Sequence, residues 1–241
     1  MRPIRYQALN EQLGESITCR CFFCYPDADR LLFQTHHFYG LLGLGPIVEG
    51  YTVLASKDHH RCYREIPRSL WPEMEVCIQF VAQLLASAFS RPVIYEHGKA
   101  GGCFIRDGSF KHCYHAHMNF IPSMGRLPSH LQNDDSVGVR WEPQGPLECV
   151  LGEDRHEPYL LFSSSARRWS LAEISDPRRL PSQYLRKVLA NHLGGCAEWD
   201  WRESPNLPAV FRAREKLPMG TTGQRLCLEN IQAFGFEWGT T

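Results

Sequence analysis

The residues best suited to chemistry lie on alternate positions of one short run, His115-Ala116-His117-Met118-Asn119-Phe120-Ile121-Pro122. A period of two is that of a β-strand. His115, His117 and Asn119 then share one face, and Tyr114, Ala116, Met118 and Phe120 the other. Alternate residues on a face stand roughly 7 Å apart, so two imidazoles can line one wall of a pocket. A neutral imidazole is both a nucleophile and a metal ligand near pH 7. Taken alone, His-x-His also fits an ordinary surface strand. Cys21-Phe22-Phe23-Cys24 offers a second chemistry. Its two-residue gap lets two thiolates take neighbouring corners of a tetrahedral metal site, although two buried apolar cysteines fit the same spacing.

These residues need elements to position them. Leu31–Phe33, His37–Gly40 and Gly50–Ala55 read as strands, with the Gly- and Pro-containing stretch 40–50 as a hairpin or wide connection. Pro67–Ser90 is the clearest helix: Leu70, Met74, Cys77, Ile78, Val81, Leu84, Leu85 and Phe89 recur at helical spacing. Prolines near its start are tolerated and Arg91-Pro92 ends it. Val93–Glu96 reads as a buried strand, a further strand starts at Cys103, and His112–Pro122 is the strand of the histidine row. Residues 123–158 read as an exposed loop or partner-contacting excursion. Tyr159–Phe162 and Arg168–Leu171 read as a hairpin. A helix follows from Pro181 to Gly194-Gly195, with Tyr184, Leu185, Val188 and Leu189 on its apolar side. Gln183 and Arg186, three apart, read as a solvated helix face or as a pair reaching for phosphate. The tail from Trp199 reads as aromatic and irregular, its tryptophans packing. No internal repeat or low-complexity block is apparent.

The 241-residue chain has 26 Lys plus Arg against 26 Asp plus Glu. That balance argues against general nucleic-acid binding, which needs a net basic surface, while leaving room for a local anion pocket. No apolar run approaches the roughly 20 residues of a membrane span. The polar start, residues 1–18, reads as a loosely held arm and not a secretory leader. Ten cysteines then read as free thiols plus a metal site in a cytoplasmic protein.

The row His115-Ala116-His117-Met118-Asn119 ending in Pro122 resembles the histidine-triad superfamily of nucleotide hydrolases and transferases, with Asn119 at the third histidine. Gly45–Leu54, Lys57-Asp58-His59 and Glu96-His97-Gly98 fall in that family's order, and Cys21–Cys24 resembles the start of its zinc-containing bacterial branches. Ser182–Arg186 and Trp199–Arg202 look like the C-terminal extension of one such branch. The resemblance implies an α+β fold, an antiparallel sheet with a long helix and a C-terminal helical extension. It divides the chain into an arm (1–18), a catalytic core (19–125) and a loop plus extension packed on the core (126–241).

The resemblance also implies roles. His117 would attack the α-phosphorus of a nucleotide and form a covalent nucleotidyl intermediate. Asn119, a neutral amide, would hold a phosphate oxygen, and His97 would sit near the phosphates or bond within the core. A structural Zn2+ would be held by Cys21, Cys24, His59 and His115, with His60 competing for the third place and Cys19 for Cys21. Ser109, Lys111 and His112 do not match the family's local phosphate contacts. Hydrolysis at the α-phosphate of a phosphoanhydride, phosphoester or phosphoramidate is the leading expectation. A nucleotidyltransferase or phosphorylase, whose relatives carry a neutral Gln at the third position, and a non-catalytic nucleotide-binding protein are the alternatives. A nucleotide or nucleotidylated small molecule is the expected partner, with pairing as a homodimer.

Overall fold

A computed structural model describes residues 21–100, 115–123, 133–134, 137–142, 145–152, 157–194, 199–201 and 203–217. The expected N-terminal arm, Cys19, the strand at Cys103 and Ser109, Lys111 and His112 lie outside the described residues.

Strands β1 (Leu31–Gln34), β2 (Phe38–Leu42) and β3 (Thr52–Ser56) lead into helix α1 (Trp71–Ala88), then β4 (Pro92–Gly98) and β5 (His117–Pro122). A short pair β6 (Asn133–Asp134) and β7 (Val139–Arg140) and helix α2 (Leu147–Leu151) follow. The chain continues through β8 (Tyr159–Ser163), β9 (Trp169–Glu173), α3 (Tyr184–His192) and α4 (Leu207–Lys216). One seven-stranded sheet runs in the order β1-β2-β3-β5-β4-β8-β9, and every pairing in it is antiparallel. This is the expected α+β architecture. The two strands from the C-terminal half extend the same sheet through β4–β8 pairing.

The long helix is shorter than its apolar pattern. A 3-10 turn, Arg68–Leu70, occupies its expected start, and Pro72 stands in the first turn of α1, where its missing N–H has no intrahelical role. Met74, Cys77, Ile78, Val81 and Leu85 are buried against Leu54, Ile94, Met118 and Phe120 on one face of the sheet. The other face is covered too. Tyr184, Leu185 and Leu189 of α3 join Val53, Ala55, Tyr95, Ile121, Leu160 and Phe162 in a second apolar cluster. The histidine row therefore faces α3 across a protein layer.

Two expectations are corrected. The stretch 123–158 is not wholly loop: it holds the β6–β7 pair and α2. The irregular tail holds α4, which buries Ala209, Val210 and Ala213. Pro208 opens it in the first turn, where proline fits.

The segment before α4 presses on the β2–β3 connection. Gly45 has φ +58, and a Cβ there would lie 2.7 Å from the Ser204 carbonyl oxygen and the Trp201 Cα. Gly45 N–H donates to the Pro205 carbonyl at 2.7 Å. Only glycine fits this close approach of two backbones.

Candidate functional site

Three stretches of chain converge at the start of β5. A turn closed by the Cys24 N–H to the Cys21 carbonyl, 3.1 Å, turns both thiols the same way. β3 ends at Ser56 and delivers His59 three residues on. His115 lies two residues before β5, anchored where Ala116 N–H donates to the His60 carbonyl at 2.7 Å. Cys21 Sγ lies 3.4 Å and Cys24 Sγ 3.8 Å from His115 Nδ1. Cys24 Sγ lies 3.0 Å from His59 Nδ1, and the two Nδ1 atoms are 3.3 Å apart. All four ligand atoms fall within 4.8 Å of one another. His59, not His60, joins His115 in this cluster.

The donor chemistry fits zinc. Zn–S and Zn–N bonds of about 2.3 and 2.0 Å at tetrahedral angles put ligand atoms roughly 3.3–3.8 Å apart. The His115 tautomer fits as well. Its Nε2–H donates to the Ser56 carbonyl at 2.8 Å, which leaves the Nδ1 lone pair turned to the cluster. A backbone acceptor behind a ligating imidazole is the usual support of such a ligand. Two thiolates and two neutral imidazoles close a tetrahedral shell and leave no open position for catalysis.

His117, the next residue on that face, is outside the cluster. Its Nδ1–H donates to the His115 carbonyl at 2.7 Å, so its Nε2 carries the lone pair. Phe23, from the turn between the cysteines, stacks on the ring with centroids 4.5 Å apart. Burial pushes the imidazole down to about 4, against the opposing pull of the His115 carbonyl. The ring is therefore neutral at pH 7.

The structure gives the other expected residues partners within the protein. His97 Nε2 accepts the Leu185 N–H at 3.1 Å, from the first turn of α3. Burial, with a smaller contribution from His117, pushes His97 down to about 3, which suits an acceptor. Asn119 is 4% exposed. Its Oδ1 accepts the Tyr51 hydroxyl at 2.5 Å, and its Nδ2 donates to the Tyr95 carbonyl at 3.4 Å. Both ends of this amide are bonded within the protein. Gln183 and Arg186 do not form a solvated face. Gln183 Nε2 donates to Asp200 Oδ1 at 3.1 Å, and Arg186 is 3% exposed. Trp199 packs, its ring 5.5 Å from Lys187 Nζ.

Sequence reasoning missed Ser56, Phe23 and Tyr51. Tyr51 precedes β3, Ser56 ends it, and Phe23 lies inside Cys-x-x-Cys, so position was their one available signal. A surface cavity of about 570 Å3, lined by Trp71, Glu75 and Glu148 beside α1, shares no residue with these groups. No helix among the described residues is long and apolar enough to cross a membrane.

No protein-family model matches the chain, and no curated protein matches it. Solved structures similar to it include a hypothetical histidine triad nucleotide-binding protein from Sulfolobus tokodaii, at 19% identity and TM-score 0.32, covering 47% of this chain and 76% of that one. A Zn-bound histidine triad family protein from Mycobacterium smegmatis is 21% identical at TM-score 0.33, covering 46% and 78%. A Hit-like protein involved in cell-cycle regulation from Bartonella henselae is 18% identical at TM-score 0.30, covering 42% and 76%. These neighbours are histidine triad proteins, matched over less than half of the present chain.

Proposed function

We propose that the protein is a nucleotide hydrolase in which His117 attacks an α-phosphate. The supporting observation is the 2.7 Å bond from His117 Nδ1–H to the His115 carbonyl, which fixes the tautomer and leaves Nε2 as a nucleophile. In the first step the Nε2–Pα bond forms while the bond from Pα to the leaving group breaks, its electron pair departing with the leaving atom. In the second, water attacks Pα, the Nε2–Pα bond breaks, and a nucleoside monophosphate leaves with a proton released. An uncharged nucleophile brings no added repulsion to an anionic phosphate. Zinc held by Cys21, Cys24, His59 and His115 would act as a structural clamp on the start of β5. The 19–125 segment would carry this chemistry, with α3 packed over the same face of the sheet.

Turnover is tested on dinucleoside polyphosphates, nucleoside phosphoramidates and nucleotide sugars, with and without acceptors. Nucleoside monophosphate release in water, reduced about 10³-fold or more in His117→Ala at unchanged zinc content, is the expected result. Retained activity in that variant overturns the mechanism. Turnover only with an acceptor replaces hydrolase with transferase, and nucleotide binding without turnover replaces both with a binding protein.

A further inference from the structure

The turn between β1 and β2 carries two imidazoles outside the cluster of Cys21, Cys24, His59 and His115. It is closed where Thr35 N–H donates to the Phe38 carbonyl at 2.8 Å, with His36 and His37 at its tip. Lys57 pins it from the end of β3. Its backbone N–H donates to the His37 carbonyl at 2.7 Å and its Nζ to the Thr35 carbonyl at 2.5 Å. Glu73, in the first turn of α1, takes hold of His37 twice. Its Oε1 accepts the His37 backbone N–H at 2.9 Å and its Oε2 accepts Nδ1–H at 2.6 Å. Burial raises the Glu73 pKa, but the bonds from His37 and Thr35 outweigh it and hold the carboxyl below its usual range.

That clamp fixes the ring. With Nδ1–H given to a carboxylate, the neutral imidazole of His37 has its lone pair on Nε2, which faces His36 Nδ1 at 3.1 Å. Two nitrogens each about 2.0–2.1 Å from one metal ion stand roughly 2.9–3.4 Å apart, for angles between square and tetrahedral. A carboxylate behind an imidazole is the support that orients a metal-ligating histidine and raises its basicity. Glu73 is 8% exposed, so it is a fixed part of the fold, while His36 is open to solvent. A chance pair of surface histidines lacks such backing.

We propose that His36 Nδ1 and His37 Nε2 bind a second metal ion, a divalent transition-metal cation of the imidazole-seeking class to which Zn2+, Ni2+ and Cu2+ belong. In the free protein His36 Nδ1–H donates to His37 Nε2. On binding, that proton moves through solvent to His36 Nε2, and both lone pairs go to the metal. No net proton is released and nothing is oxidised. Among the described residues no third Cys, His, Asp or Glu completes the shell. Water fills the remaining positions, so this ion exchanges readily, in contrast to one held by the four-ligand cluster. The site is independent of the nucleotide reading above.

The test titrates the untagged, full-length, zinc-loaded protein with Ni2+, which suits imidazole ligands and leaves thiols unoxidised. Calorimetry in a non-chelating buffer gives affinity and stoichiometry, and zinc content is measured before and after. The wild type is expected to take up one equivalent of Ni2+ without losing zinc. His36→Asn, at an exposed turn position, should weaken binding about tenfold or more. Glu73→Gln, which removes the charge behind His37, should also weaken it about tenfold or more, the scale of a lost support behind a ligand. Should Glu73→Gln not fold, the wild type decides: Ni2+ is expected to broaden the ring NMR signals of both His36 and His37 before those of any other histidine, and any other order overturns the proposal. Affinity unchanged in either variant means an adventitious ion only and overturns it. So does a wild type that takes up no Ni2+, or takes it up only as zinc is lost.

Discussion

The Tyr51 hydroxyl donates to Asn119 Oδ1 at 2.5 Å inside the sheet, tying the start of β3 to the strand that carries His117. This bond gives the third position of the histidine row a structural partner. It also links that row to the extension, because Arg186 stacks on the same tyrosine ring.

Tyr51→Phe leaves Asn119 Oδ1 buried without a donor. The expected loss is about 1–3 kcal/mol of unfolding free energy, the cost of one orphaned buried acceptor. Urea denaturation checks it. In the double variant Tyr51→Phe/Asn119→Leu both polar groups are gone, so the loss should fall short of the sum of the singles by about 0.5–3 kcal/mol. Strict additivity would show that the two residues are not coupled.

Zinc content provides the second prediction. The purified protein should carry one equivalent of zinc by mass spectrometry. Cys24→Ser should lower both bound zinc and the thermal midpoint. The affinity should weaken as pH falls, because thiols must lose protons and imidazoles must be neutral to bind. His60→Ala should retain the metal, since His60 is outside the ligand cluster. A wild-type protein without stoichiometric metal would remove the site.

Phe23 gives a third. Its ring stacks on His117 at 4.5 Å from within the Cys-x-x-Cys turn. Phe23→Ala should leave zinc bound, because it alters no ligand, yet lower kcat more than it raises KM by freeing the imidazole from its face contact. Steady-state kinetics on the substrate found for the wild type would show this split. A variant with wild-type kcat would make Phe23 a packing residue alone.

The sheet and the row of His115 and His117 were legible because alternation and apolar periodicity are local. Cys21 and Cys24 were legible from spacing, and His59 from the resemblance of Lys57-Asp58-His59 to the family's segment. Arg186 was not. A helical wheel gives its angle on α3 and says nothing of what covers that side; here the cover includes the Trp199 and Gly45 carbonyls. His97 was read as phosphate-facing or core-bonded, and its actual partner is a backbone amide of a helix 88 residues away. Nothing in Glu96-His97-Gly98 records that helix. α4 escaped notice because its apolar side is short, Ala209, Val210 and Ala213, within a stretch rich in arginine.

Glu96 sets the last prediction, on the face of the sheet away from His117. Its carboxyl accepts the Tyr63 N–H at 2.8 Å and the Tyr159 hydroxyl at 2.6 Å, and it is 1% exposed. Burial is the dominant influence and raises its pKa to about 7, with the two hydrogen bonds and Arg64 opposing. A carboxyl raised in the fold holds more protons there than in the unfolded chain. Its contribution is therefore fully present below the unfolded value, near 4.5, and is lost as pH rises through about 7. The loss amounts to about 3 kcal/mol at one pKa unit per 1.36 kcal/mol. Glu96→Gln reproduces the neutral acid: its oxygen accepts from Tyr63 and its amide donates to the Tyr159 oxygen. This variant should match the wild type near pH 4.5, exceed it in stability at pH 8, and flatten the stability–pH curve between. Urea denaturation across that range measures both proteins. Parallel curves would mean that Glu96 is ionised in the fold over the whole range and that Tyr159 and Tyr63 hold it as a carboxylate.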